Sequence, residues 1–136
     1  MIPRSAIYAG LLAAGFTFAS PPALAQEGDA EAGKRVFNQC AVCHTVEPGQ
    51  HRLGPSLYGV IGRTPGTLEG FKYSPAMKQF GESGAVWDEE TLMRYLENPR
   101  KVVPGTRMAF PGLRDPEARA DVIEYLESVG GDGGEQ

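Results

Sequence analysis

Both cysteines of the chain and one of its two histidines fall within five residues, Cys40-Ala41-Val42-Cys43-His44. This is the C-x-x-C-H pattern of covalent haem c attachment. Two thiols separated by two residues reach the two vinyl groups on one porphyrin edge, and the adjacent imidazole can then turn its Nε2 to the iron. A local disulfide, a thioredoxin-like redox pair and a zinc site are the competing uses of the same residues. The redox pair wants a βαβ setting that the sequence lacks, and zinc would need His44 beside Cys43, or the distant His51, to complete four ligands. With one axial ligand a haem is open to enzyme or oxygen chemistry, so the second axial position decides what it does. A soft thioether suits that position. Of the four methionines, Met1 belongs to a leader, and Met77 and Met93 lie on helical segments where packing is the ordinary role. Met108 lies in Asn98–Phe110, a stretch stiffened by Pro99 and Pro104 and followed by Pro111, and is the residue placed for ligation.

Helices must deliver these groups. Asp29 is an N-cap, and Ala32, Val36, Phe37 and Cys40 share one face, so the first helix is expected from Asp29 to about Ala41 with Cys40 at its end. A second opens at Asp88 with Glu89 and Glu90 at its positive terminus, buries Leu92, Tyr95 and Leu96, and stops before Pro99. A third has Asp115 as cap, Pro116 at its first position, Val122, Tyr125, Leu126 and Val129 on one face, and Gly130 as its close. A shorter helix begins at Ser74-Pro75 and carries Ala76, Met77 and Phe80. No alternating strand is evident, and residues 45–73 show no helical period. Three modest helices cannot enclose a core for such a chain, and so long a loop needs something to wrap. Both points call for a large cofactor at the centre.

With 136 residues, 41% hydrophobic, the chain is sized for one domain, and 18 Gly with 11 Pro make it rich in turns. A net charge of -4 argues against nucleic-acid binding. Residues 1–25 read as a cleaved secretory signal: Arg4, the apolar run Ala6–Ala19, then Pro21-Pro22-Ala23-Leu24-Ala25 with its A-x-A end. That run is too short for a membrane span, so no stable membrane insertion is expected after cleavage. The domain is then 26–136. Charge is uneven along it: Arg52–Arg114 carries nine Lys and Arg against six acids, while Asp115–Gln136 carries one Arg against seven.

The haem motif, Gly54-Pro55-Ser56-Leu57-Tyr58-Gly59, and Trp87–Pro99 running into Pro104-Gly105-Thr106-Arg107-Met108 together resemble class I cytochrome c. The resemblance covers nearly all of the chain after the leader and is closest to mitochondrial proteins and their soluble bacterial relatives. It implies an all-α fold, with three main helices, short helices and long loops around one covalently bound haem c. Cys40 and Cys43 would carry the haem, with His44 and Met108 as axial iron ligands. Pro55 would offer its carbonyl to the His44 Nδ1–H, a bond that orients a metal-bound imidazole. By the same likeness Arg63, Tyr73 and Trp87 hold a haem propionate, Tyr95 and Thr106 lie near the propionate and the Met sulfur, and Gly33 and Phe37 meet Val122 and Tyr125. His51 matches a loop histidine that is not a ligand. Three features depart from the mitochondrial pattern: Met77 where asparagine is usual, a longer link from Met77 to Trp87, and the acidic balance.

The expectation is therefore a monomeric periplasmic one-electron carrier and not an enzyme, working between a cytochrome bc complex and a terminal oxidase or photosynthetic reaction centre. A haem peroxidase or an electron-entry subunit of a larger complex is the alternative. A peroxidase needs an open distal position with an acid or base, and His51, seven residues after His44, is poorly placed to supply one.

Overall fold

A computed structural model describes residues 27–130, so the expected signal at 1–25 lies outside the described residues. Each helix starts where a short polar side chain can take the first free backbone N–H. In α1 (Ala30–Phe37) the Asp29 carboxylate accepts from Ala32 N, and in α2 (Pro75–Glu82) Ser74 does the same for Met77 N. Asp88 caps α3 (Glu89–Glu97) through Thr91 N. At the start of α5 (Pro116–Gly130), Asp115 accepts from Glu117 N at 3.0 Å through its side chain and from Arg119 N at 3.2 Å through its carbonyl. The described residues contain no strand, so they are all-α, as expected.

Two local expectations need correction. The first helix ends at Phe37, not near Ala41: the Phe37 carbonyl accepts from both Cys40 N and Ala41 N, and the chain tightens there into successive turns through Cys43. The stretch after Asn98 is not all loop, because α4 (Pro99–Val102) fills its start, capped by Asn98 accepting from Lys101 N. Asn98 ends α3 and begins α4, and proline at the first position of α4 needs no hydrogen-bond partner there.

The structural anchor is the crossing of α1 with α5. Gly33 is buried, and a Cβ on it would run into the Asp121 carbonyl, so only glycine permits the approach. Beside it the Phe37 and Tyr125 rings lie 5.3 Å apart, and the Asp121 carboxylate accepts from Asp29 N at 2.7 Å. Val122, Ile123 and Leu126 are almost wholly buried, each contributing about 1.5–3 kcal/mol through removal of apolar surface from water. From α3, Leu92 and Tyr95 complete the core with Trp87, whose ring lies 4.8 Å from that of Tyr95. No described helix is long and apolar enough to cross a membrane.

Candidate cofactor site

The turn after α1 fixes three reactive side chains at once. His44 N bonds to Cys40 O at 2.9 Å and Cys43 N to the same oxygen at 3.0 Å, so the two thiols and the imidazole leave one tight coil of backbone. The His44 Nδ1–H donates to the Pro55 carbonyl at 2.7 Å, which fixes the tautomer and leaves Nε2 available to a metal. A methyl group at Gly54 would strike the same ring, so the Gly54-Pro55 backbone lies directly against it. Burial pulls the His44 pKa down, opposed by the Pro55 bond, and so favours the neutral form that binds metals. The cysteines are unpaired. Burial, and then Cys43, push the Cys40 thiol up, away from the low value of a redox-active pair.

Among the described residues no group of three or more His, Cys, Asp or Glu side chains is arranged to hold a metal ion by itself. His51 is committed elsewhere: its Nδ1 accepts from Ser56 N at 3.1 Å and its Nε2–H donates to Glu69 O at 3.0 Å. It thereby stitches one arm of the long loop to the other. No local pattern in the sequence announces this role, because the bond to Glu69 spans eighteen residues.

Met108 is half-buried in the segment between α4 and α5. Its N–H donates to Thr106 Oγ1 at 3.2 Å, and the Tyr95 hydroxyl donates to its sulfur at 3.9 Å. Burial raises the Tyr95 pKa, and a bond with Thr106 partly offsets the rise. Thr106, Tyr95 and Met108 thus form one cluster. Met77 and Met93 pack against the hydrophobic core from α2 and α3.

Arg63, Tyr73 and Trp87 come from the long loop and the approach to α3. Arg63 donates through Nη1 to Tyr58 O and through Nη2 to Ser56 O, each at 3.1 Å, so part of its capacity secures the loop itself. Burial lowers the Arg63 pKa and raises that of Tyr73, while the proximity of the two groups opposes both shifts. Backbone bonds in both directions join the Arg63 segment to Trp87: Trp87 N to Arg63 O and Gly62 N to Trp87 O, both at 2.9 Å. A half-buried guanidinium beside a phenol is suited to a carboxylate.

The apolar interior fits a large planar ring. Ten buried side chains form the core, but fifteen more apolar ones, including Cys40, Leu57, Phe80, Leu96 and Met108, are only partly covered by protein. With the thiols, the oriented imidazole and the cationic end at Arg63, this defines a small all-helical protein built on a C-x-x-C-H turn to carry a covalently bound tetrapyrrole.

Comparison with known proteins makes the assignment definite. The cytochrome c family profile matches residues 30–130, and the chain belongs to that family. It is 52% identical over 101 residues to cytochrome c 2.1 of Caenorhabditis briggsae, covering 74% of this chain and 88% of that protein. It is 47% identical over 106 residues to cytochrome c2 of Rhodopila globiformis, covering 77% and 97%. Cytochrome cH from Methylobacterium extorquens superposes with a TM-score of 0.69 at 42% identity, covering 74% of this chain and 99% of that one. The protein accordingly carries covalently attached haem c and acts as an electron carrier among redox partners.

Proposed function

We propose that Cys40 and Cys43 form the two thioether bonds, that His44 Nε2 and the Met108 sulfur are the axial ligands, and that the protein carries electrons without catalysing a reaction of its own. The observation that carries this reading is the His44 Nδ1–Pro55 bond of 2.7 Å, made inside the turn that holds both thiols. When bound, haem supplies an iron that alternates between ferrous and ferric states. The residues do the rest. His44 is held in one tautomer, the Tyr95 hydroxyl donates to the Met108 sulfur, and Thr106 Oγ1 holds the Met108 backbone N–H. Arg63, Tyr73 and Trp87 supply donors and cover at the propionate end. With haem bound, His44 and Met108 would both be committed to the iron, which would keep small ligands off it, and methionine would favour a raised potential.

Residues 1–25 act as a cleaved export signal in this reading, and the monomeric carrier works in a bacterial periplasm between a cytochrome bc complex and a terminal oxidase or photosynthetic reaction centre. Docking uses the exposed Arg100, Lys101 and Arg107 around the Met108 segment, which steer an acidic partner. Val42 and Leu53, 75% and 83% exposed, supply apolar contact beside the thioethers. They are neighbours, because Arg52 Nη1 bonds to Ala41 O at 2.7 Å and Gly54 N to Cys43 O at 2.8 Å.

Optical spectra of the mature protein, oxidised and reduced, with and without carbon monoxide, test the ligand set. The expected result is a weak Met–iron charge-transfer band in the oxidised form and no change on adding carbon monoxide to the reduced form. Ready binding of carbon monoxide would overturn the assignment of two protein ligands.

A further inference from the structure

We infer that Arg119, on α5, is a positioning residue for Met108: it clasps the returning end of the Met108 segment and sets how often that segment opens. The inference rests on Met108 being the axial ligand.

The segment leaves the core at Val103, 2% exposed, and re-enters at Leu113, 9% exposed. Its fastenings are concentrated at the return. Leu113 N bonds to Leu96 O at 2.7 Å. Gly112, at φ +106, lies so close to the end of α3 that a Cβ would collide with the Glu97 carbonyl. Arg119 Nη1 then donates to Leu113 O at 2.6 Å and to Arg114 O at 3.0 Å. Only Ala109, Phe110, Pro111 and Gly112 separate Met108 from Leu113, where this clasp begins.

Arg119 is an expensive way to fill its position. It is 8% exposed, it sits near the positive end of the α5 dipole, and its buried Nε has no hydrogen-bond partner among the described residues. An apolar side chain would occupy the same space without those costs. What the guanidinium adds is two bonds to the carbonyls where the segment turns back, and both would lose their donor if it were removed. Loss of the clasp therefore raises the population of a locally open state while the rest of the fold stands.

An external ligand binds iron only in that open state, so its apparent affinity scales with the open fraction. The test titrates the ferric holoprotein with imidazole, following the Met–iron charge-transfer band, in the wild type, Arg119→Leu, Arg119→Lys, Gly112→Ala and Asp29→Ala. Denaturant stability is measured for each. Asp29→Ala weakens the α1 cap and serves as a control for global destabilisation. Arg119→Leu is expected to bind imidazole roughly tenfold or more tightly, with Arg119→Lys intermediate. Gly112→Ala should shift affinity the same way and carries the comparison if Arg119→Leu does not fold. Asp29→Ala should show little change for a similar loss of stability.

Unchanged imidazole affinity in Arg119→Leu, or in Gly112→Ala where that variant carries the comparison, overturns the inference. So does a shift that tracks global stability equally in Asp29→Ala. Failure of the underlying ligand reading shows separately, as a charge-transfer band that survives Met108→Ala.

Discussion

The two sides of the site are built in different ways. On the His44 side everything is local: thiols and imidazole share one turn, backbone bonds of 2.8–3.0 Å close it, and the ring is tied to Pro55 eleven residues on. On the Met108 side the sulfur sits in an extended segment, touched by a hydroxyl at 3.9 Å and held through contacts to α3 and α5. Close covalent spacing makes the first side rigid as soon as the chain turns. The second side is only as rigid as its long-range fastenings. With the ligand set proposed above, a carrier of this construction would keep its cofactor permanently, while Met108 would be held by an equilibrium that substitutions can shift.

The largest effect should come from the rigid side. Cys40→Ser combined with Cys43→Ser removes both thioethers, and with haem lost the half-covered apolar side chains have nothing to pack on. Circular dichroism should show a largely unfolded chain, whereas the wild type should retain haem through denaturation and acid extraction. A double variant with native helix content and no haem would contradict the view that the cofactor completes the core.

Next comes Met108→Ala. The fold and the thioethers should survive, the charge-transfer band should vanish, the potential should fall, and the reduced protein should bind one carbon monoxide per haem. Met77→Leu and Met93→Leu should leave all four properties near wild type, because those side chains pack against the core. If Met93→Leu opens the iron and Met108→Ala does not, the two sides have been wrongly assigned.

Gly33→Ala addresses the element linking the sides, since α1 feeds the His44 turn and α5 carries Arg119. The added methyl meets the Asp121 carbonyl, and the helices must part. Urea unfolding should show a loss of about 2–3 kcal/mol. The His44 turn should hold its geometry in the folded fraction, so the visible spectrum of the native protein should change little.

What sequence could reveal follows the same division. The caps at Asp29, Ser74, Asp88 and Asp115 were legible because capping is a matter of three or four neighbouring residues. So was the C-x-x-C-H turn. Asn98-Pro99 carries the same signature as Ser74-Pro75, yet α4 is masked because Pro99 also stops the helix before it. The early end of α1 was hidden because Cys40 continues its apolar face even though the backbone has begun to tighten. Ile123 and Arg119 were invisible for another reason. A cation in a markedly acidic helix reads as solvated surface, and only the fold turns Arg119 inward against Leu113. Fastenings of the Met108 side join residues far apart in the chain, which periodicity does not register.

Docking should respond more modestly. Arg100→Glu with Lys101→Glu reverses two exposed charges on α4 without touching the core. Electron transfer to an acidic partner should slow several-fold at low salt, with the potential nearly unchanged, and the gap to wild type should close as ionic strength rises. Rates indifferent to both salt and charge reversal would transfer the docking role to Val42 and Leu53 beside the thioethers.

The smallest effect concerns Asp88 and the acid limb of stability. Its carboxylate accepts from Thr91 N at 2.8 Å at the start of α3, the helix that brings Tyr95 to Met108. Bonds with the Thr91 backbone and then its side chain hold the Asp88 pKa below the ordinary carboxylate value. A depressed folded value means that the ionised group favours the native state. The contribution is therefore complete above the unfolded pKa, near 4, and is lost as pH falls through the lower folded value. Asp88→Ala should melt a few degrees below wild type at neutral pH, and the difference should shrink as the solution is acidified. Asp88→Asn retains a capping oxygen that does not titrate, so it should stay closer to wild type at neutral pH and lose less on acidification. Thermal melts of the three proteins between pH 7 and pH 3, read by helix signal and by the charge-transfer band, check this. If the Met108 side depends on α3, the band in Asp88→Ala should fade at a lower temperature than the helix signal. Coincident loss of the two signals would mean that α3 and the Met108 segment melt only with the whole protein.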